Sequence, residues 1–513
     1  MASYQNLDVK GKPTGHSTPK PTSATSQTPT ESSEDGPPLA PASMPVSLAS
    51  NSDSGGGLRF YPYTDTGNGE RLASKFGEQI RYCHQRKHWY SWRGNRWAPD
   101  DSGDLWFHTK QIARLLYQEA SLFEEKEDRE KCAKWARASE SAKARRAALE
   151  CAQSEPLISV DFTSFDADPM LFNCLNGTVD LTTGELRPHR KSDMLTHLAP
   201  VHYDPDATSD LWERFLEQTT GSNAILRYFL QRAVGYSLTG GTEEEVLFFA
   251  HGPAATGKST FLEALKATLG DYAQTADFET FVKKRGDGGI RNDIAALAGR
   301  RLVISIEVDE GKKLAEGLVK MMTGGDTVAA RFLYKELFNF VPTCKLWLAA
   351  NHAPKVKDDD TAMWRRILRV PFDHVVAKHE RDPGVKARLR NAAACRSAIL
   401  SWAVDGCLVW QSYGLNVPQV VAQATDEYRM QMDPLRDFLD SRCILQSEAS
   451  VGVTELRAAY ESFFNGETSN GIGIVGVREF NERLKARSCS QYQKWESDLK
   501  KNVLFWRGIG LML

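Results

Sequence analysis

The stretch His251-Gly252-Pro253-Ala254-Ala255-Thr256-Gly257-Lys258-Ser259-Thr260 restricts the folds open to this chain more than any other. It matches G-x-x-x-x-G-K-[ST], a loop that wraps phosphate. Its flanks supply the context the motif needs. Val246-Leu247-Phe248-Phe249-Ala250 is a short apolar run that reads as a buried strand. Phe261 to Leu269 carries apolar residues at helical spacing, and Gly270 is a stop signal. Gly252, Pro253, Ala254, Ala255, Thr256 and Gly257 form the loop. Its glycines let the backbone curl with amide N–H groups turned inward. The helix N-terminus adds partial positive charge. Lys258 would reach the β- and γ-phosphates of ATP, the Ser259 hydroxyl would ligate Mg2+, and Thr260 completes the first turn.

The chain has 513 residues, room for about three or four domains. Its formal net charge is −2, so no global basic field points to nucleic acid, and any DNA contact would have to come from local patches. Nine cysteines with no C-x-x-C pair argue against a zinc site and against a secreted disulfide framework. Reduced thiols in a cytoplasmic protein are the simple reading. No run approaches the roughly 18 apolar residues that span a bilayer, so no membrane partner is expected. The N-terminus has no apolar stretch of signal-peptide type.

Residues 1–57 are rich in Ser, Thr, Pro and Gly and are expected to form a disordered tail or linker. Trp89 to Trp97 reads as a hairpin around Gly94-Asn95, its aromatic residues forming a small core or, less readily, a base-stacking surface. From Thr109 to about Cys151 the pattern is helical, and the mixed-sign run Glu124 to Lys134 reads as a solvated face. Asp166 and Asp168 have the spacing of a two-metal pair, but Pro169 follows at once and no further carboxylate-plus-His cluster is near, so a structural role is preferred. Asn176-Gly177 and Thr183-Gly184 are turn signals between β-prone runs, and Trp212 to Leu238 is helical.

Arg301 to Ile306 reads as a second buried strand, with Glu307 at its end and Asp309 and Glu310 beyond. An acid there would hold Mg2+, partly through water, and polarise the attacking water. Gly324-Gly325-Asp326, followed by a stretch bearing Arg331 and Lys335, suits a protruding basic hairpin. Leu346 to Ala350 is a third apolar strand ending in Asn351, placed where ligands sit in open α/β sheets. Arg365 and Arg366 precede a short strand at Val370-Pro371-Phe372, and Arg366 is expected on the third-strand side of the fold, too far around the sheet to reach its own glycine loop.

In this order the glycine loop, Ser305 to Gly311, Thr323-Gly324-Gly325-Asp326 with Ala330-Arg331, Ala349 to Pro354, and Trp364-Arg365-Arg366 with Val370-Pro371-Phe372 resemble the helicase module of the phage/plasmid primase family. That family is related to poxvirus primase-helicases within helicase superfamily III. The resemblance extends upstream through Phe165 to Pro169, Asn176 to Leu181 and Gly184 to Leu186, and covers roughly residues 90–380. It implies an α/β fold: a P-loop ATPase core, AAA+-like, with a parallel sheet and flanking helices. It also implies a homo-oligomeric hexameric ring with ATP and Mg2+ at subunit boundaries, threading DNA and moving 3′ to 5′. By resemblance Lys258 and Ser259 are nucleotide ligands, Glu307 is the acid with Asp309 and Glu310 as companions, and Asn351 is the sensor. Lys335 and Arg331 would face DNA, single-stranded or at a forked duplex. Arg366, with Arg365 second, would be the arginine finger. The implied setting is a phage, prophage or plasmid replicating in a bacterial cytoplasm, with a separate primase as a candidate partner. Residues before 58 show no polymerase-like core, so priming is left unassigned.

The expected domains are a tail at 1–57, an α+β N-terminal domain at 58–205, a helical collar at 206–240, the ATPase domain at 241–375, a helical segment at 376–430, and a winged-helix-like domain at 431–513. In the last, helices at Thr454 to Tyr460 and Arg478 to Leu484 precede a strand at Phe505 to Ile509, and Lys485, Arg487 and Lys494 either meet phosphates or form a solvated face. Two rivals to a helicase stand beside it. One is a nucleic-acid-stimulated ATPase for packaging or loading. The other is a DNA-binding initiator whose nucleotide site controls assembly only.

Overall fold

A computed structural model describes residues 61–283, 292–307, 311–333, 336–357, 360–466, 474–496 and 501–512. The tail at 1–57, Asp309, Glu310 and Lys335 lie outside these residues.

The amino-terminal part joins helices α1 (Asp65–Phe76), α2 (Asp104–Ala120), α3 (Lys126–Ser139) and α4 (Ala142–Ala152) to strands β1 (Ile80–Cys83), β2 (His88–Trp92), β3 (Trp97–Pro99) and β4 (Ser159–Val160). The strands pair in the order β3-β2-β1-β4. Trp97 is fully buried with Cys83 and Phe165, so the aromatic cluster is largely a small core. Strands β5 (Leu171–Cys174), β6 (Gly177–Asp180) and β7 (Glu185–Arg187) then form an antiparallel sheet. Two helices follow, α5 (Asp210–Thr220) and α6 (Ala224–Leu238). They are separate because Gly221 adopts φ 60°, which ends α5, and the Asn223 side chain caps α6.

The central sheet contains β8 (Leu247–His251), β9 (Ala273–Thr275), β10 (Leu302–Ile306), β13 (Lys345–Ala350) and β14 (Ile367–Pro371), all parallel, in the order β14-β8-β13-β10-β9. Strands β8, β10, β13 and β14 are buried on both faces because both are covered. Phe248, Ala250, Ile304 and Trp347 enter one core, under α5, α6 and α7 (Lys258–Leu269). Leu247, Phe249, Val303 and Leu348 enter another, which includes Tyr428.

The second core also takes residues from α8 (Asn292–Ala295), α9 (Glu316–Thr323) and the antiparallel hairpin β11 (Val328–Ala330) with β12 (Phe338–Phe340), and α10 (Thr361–Trp364) contributes Met363 and Trp364. After β14 come α11 (Val385–Asn391), α12 (Ala393–Tyr413) and α13 (Gln419–Gln431). Among the described residues no single helix is long and apolar enough to cross a membrane.

Two buried cations tie the sheet to α6. Arg301 donates to the carbonyls of Leu238 and Leu171 at 2.7 and 2.8 Å. Lys345 donates to Thr239 and Gly241 carbonyls beyond the helix end. Carbonyls at a helix C-terminus lack intrahelical donors and carry partial negative charge, which these groups answer.

The hairpin is tied as well. The Arg86 guanidinium, in the turn between β1 and β2, lies between the rings of Phe162 and Phe338, 3.9 and 4.2 Å from their centroids. Lys87 next to it meets Glu336 at 3.2 Å.

The carboxyl-terminal part has its own core, from Leu435 to Ile509. It runs α14 (Arg436–Arg442), β15 (Cys443–Ile444), β16 (Ser450–Gly452), α15 (Val453–Gly466), α16 (Val477–Ala486), β17 (Ser490–Glu496), β18 (Lys501–Arg507) and β19 (Gly510–Leu511). Where one terminal strand was expected there is a hairpin, β17 with β18, and β16 pairs on its other side. Arg487 is ion-paired to Asp433, and Lys494 lies over the Phe505 ring while remaining exposed.

Candidate functional site

Strand β8 ends in His251 and the loop begins at Gly252. A Cβ at Gly252 would stand 2.0 Å from the Phe372 carbonyl oxygen, so only glycine lets the loop pass the chain leaving β14. Gly257 precedes α7 with φ 89°, and a Cβ there would meet the Thr219 hydroxyl at 2.6 Å. Between them Ala255 also has positive φ, 63°. The loop bends back on itself while Pro253, Ala254 and Ala255 remain exposed and Thr256 is buried.

Lys258 opens α7 and is only 6% exposed. Its Nζ donates to the carbonyls of Gly252 and Pro253, both at 2.7 Å, and to Thr256 Oγ1 at 3.2 Å. Burial lowers its pKa, and the Asp373 carboxylate opposes that. Ser259 and Thr260 are half-buried in the first turn, where amides have no intrahelical partners. A buried ammonium, free amides and a backbone cradle form a donor set suited to an oxyanion.

Across the sheet, Ile306 stands opposite Ala349, and Ala350 opposite His251. Glu307, Asn351 and Gly252 therefore leave the same C-terminal edge on three adjacent strands. At roughly 4.8 Å per strand, about 10 Å separates the backbone of Glu307 from the loop, a gap that side chains and water bridge. Glu307 is exposed, holds φ 72° and donates its amide to the Ala349 carbonyl at 3.0 Å. Asn351 is exposed too. The Ser259 hydroxyl and Glu307 carboxylate are hard oxygen donors and fit Mg2+ chemistry.

Arg365 and Arg366 lie elsewhere. Strand β14 pairs with β8, not with the third apolar strand β13, because the chain crosses over the sheet after Asn351. This corrects the expected place of Arg366. Arg366 precedes β14 at the N-terminal edge, and its carbonyl accepts from Leu247 at 2.7 Å. Five residues of strand put it about 16 Å from the glycine loop of its own chain. Its side chain is 9% exposed, donating to Glu245 at 2.7 Å and to the Ala362 carbonyl at 2.8 Å. Arg365 also reaches Glu245, at 3.1 Å, but is 64% exposed. Arg331 is exposed where β11 ends.

Two family models match. One, D5 N terminal like, covers residues 69–221, and the other, a family of unknown function named DUF5906, covers residues 250–366. "Putative helicase L207/L206" of Acanthamoeba polyphaga mimivirus is 28% identical over 334 residues, spanning 60% of this chain and 34% of that protein. "Putative helicase 022R" of Frog virus 3 is 25% identical over 389 residues, spanning 60% and 40%. These matches make the chain similar to proteins of the phage and viral primase-helicase family. It spans little more than a third of the length of these curated relatives. The C-terminal region of NrS-1 in its apo form shares the fold, with a TM-score of 0.51 and 9% identity over 87% of this chain and 99% of that one.

Several features of the site escape sequence reasoning. Asp373 and the segment to Val376 lie along the glycine loop, with the Val376 amide donating to Ala255 at 3.2 Å. No motif marks that segment. His251 accepts from Arg369 at its Nδ1, 3.1 Å from one guanidinium nitrogen. Burial, then Arg369 and Lys258, hold the imidazole down to about 4. The neutral ring sits directly under the loop. Asp166 accepts from the Thr196 amide at 2.8 Å and meets His197 at 3.2 Å, and Asp168 accepts from Met170 at 2.8 Å. Both carboxylates thus serve the local fold. Among the described residues no cluster of three His, Cys, Asp or Glu side chains is arranged for a metal.

Proposed function

We propose that this chain is an ATP-hydrolysing DNA helicase acting as a hexameric ring, moving 3′ to 5′ on single-stranded DNA and opening forked duplex. The observation that carries the reading is the meeting at one sheet edge of the glycine loop with Lys258, Asn351 and Glu307. It supports a P-loop core of AAA+ type. The helicase names of the viral relatives support the DNA substrate. The order of helices and strands after residue 431 supports a winged-helix-like domain.

In this reading the phosphates of ATP lie against the loop and the first turn of α7. Lys258 turns from the carbonyls of Gly252 and Pro253 to the β- and γ-oxygens. Ser259, and Glu307 through water, would hold Mg2+, which would supply charge neutralisation for the phosphates. Glu307 takes the proton of the attacking water and Asn351 orients that water, with Asp309 or Glu310 assisting. An arginine from the next subunit answers charge on the transferred group. Arg365 is the better placed of the pair, because its side chain is exposed and Arg366 is buried. Arg331 and Lys335 meet DNA from the hairpin. The setting proposed is a replicating phage, plasmid or virus, with a primase as a further partner.

Phosphate release with and without single-stranded DNA, together with strand displacement on a forked duplex, tests the proposal. Both activities are expected in the intact protein and neither in Lys258→Ala. Hydrolysis without displacement would favour a packaging or loading ATPase, and binding without hydrolysis an initiator.

A further inference from the structure

Helix α2 has one face in the amino-terminal core and one in solvent. Leu105, Thr109, Ile112, Ala113, Leu116 and Ala120 are buried. Its two carboxylates are engaged elsewhere: Asp104 pairs with Arg93, and buried Glu119 pairs with Arg71 at 3.2 Å. The exposed residues are Trp106, Phe107, Lys110, Arg114, Tyr117 and Gln118. At 100° per residue these six fall within a third of the helix circumference. Three are aromatic, two are cationic and none is acidic.

A solvated helix face looks different, and the neighbouring α3 shows how. Its exposed residues mix Lys126, Lys131 and Arg129 with Glu127, Asp128 and Glu130. On α2 neither Lys110 nor Arg114 has a carboxylate partner among the described residues. Phe107 is 55% exposed and Tyr117 40%, large rings left in water. Helix α4 extends the same chemistry: Arg145 and Arg146 lie 5.0 and 5.9 Å from the Trp106 ring, and Arg146 and Lys143 are exposed.

We propose that the exposed face of α2, extended by Arg146, binds single-stranded nucleic acid, with Phe107 and Tyr117 stacking on bases and Lys110 and Arg114 meeting phosphates. The charge is complementary to a polyanion. The rings add what a duplex surface does not offer, unpaired base faces. Ten residues separate Phe107 from Tyr117, about 15 Å along the helix, the reach of a few extended nucleotides. This surface belongs to a different part of the fold from the glycine loop and the hairpin, so it goes beyond the motor reading and does not depend on ATP.

The test measures binding of a labelled oligo(dT) to the full chain by fluorescence anisotropy, without nucleotide, at several salt concentrations. An abasic strand of equal length is the control. Phe107→Ala with Tyr117→Ala should weaken oligo(dT) binding at least about tenfold and leave the abasic strand nearly unaffected. Lys110→Ala with Arg114→Ala should weaken both strands. It should also lower the slope of log affinity against log salt by about 1.4, from roughly 0.7 per phosphate contact on single strands. Unchanged binding in both double variants would overturn the proposal. So would equal losses on the two strands in the aromatic variant, or a changed oligomeric size with unchanged DNA binding, which would make the face a contact between copies. Basal ATP hydrolysis, expected to be unaltered in all variants, reports separately on the motor: its absence in the intact protein would count against the helicase reading alone.

Discussion

Lys258 already donates to two loop carbonyls and a hydroxyl, so an anion entering the loop competes for a group that is held in place. Lys258→Ala removes the charge without opening the hydrophobic core. ATP turnover measured by phosphate release should be lost, while the thermal midpoint moves by no more than a few degrees. Glu307→Gln keeps the shape and removes the carboxylate proposed as proton acceptor. Nucleotide binding should persist with turnover lowered about 10²- to 10⁴-fold, the usual weight of a general base. Wild-type turnover in that variant would move the role to Asp309 or Glu310.

His251 adds a pH dependence. An imidazole in an unfolded chain titrates near 6.5, whereas this one is held down to about 4. Between those values the unfolded state binds more protons, so stability falls as pH drops from about 6.5 toward 4. Partial exposure screens the effect, which is on the order of 2 kcal/mol at most. Urea unfolding across that window should show a shallower loss for His251→Asn than for the intact protein, and identical slopes would remove the assignment.

At the scale of elements, the two arginines before β14 separate cleanly. Arg366→Ala leaves Glu245 and the Ala362 carbonyl short of a buried donor, so it should lower thermal stability as well as activity. Arg365→Ala should leave the fold intact and lower turnover by as much as about 10³–10⁵, as loss of an arginine finger does in related phosphoryl transfer. If Arg365 acts on the neighbouring subunit, mixing Arg365→Ala with Lys258→Ala protein should restore part of the hydrolysis that each lacks alone. Mixed rings that form yet stay inactive would rule out action across the boundary.

The same elements show what could be read without coordinates. Strands β8, β10 and β13 were legible because each is a run of large apolar side chains buried on both faces. The glycine loop was legible because its spacing is local. Strand β9, Ala273-Gln274-Thr275, was not, being short and half polar. Nor was the placing of β14 beside β8, since strand order depends on where the chain crosses rather than on any one segment. That is why Arg366 was expected on the wrong side of the glycine-loop strand, and why Asp373 gave no signal. Hydrogen bonds between segments far apart in sequence leave no periodicity to detect.

Over the whole molecule, the contact with the longest consequence is Arg86 between Phe162 and Phe338. Two cation–ring contacts on a half-buried guanidinium contribute about 1–2 kcal/mol. In Arg86→Ala, amide hydrogen exchange should quicken across Val328–Phe340 while the glycine loop keeps its protection, and basal ATP hydrolysis should be unchanged. Uniform exchange in both segments would show that the sandwich holds nothing. If it holds, the hairpin is on a leash whose other end is 249 residues away at Lys87. Its travel is then set by the slack in the turn between β1 and β2, not by its own two short strands. A pull on the tip reaches the amino-terminal domain before it reaches the nucleotide edge of the sheet, which makes that domain a strain gauge for whatever the hairpin grips.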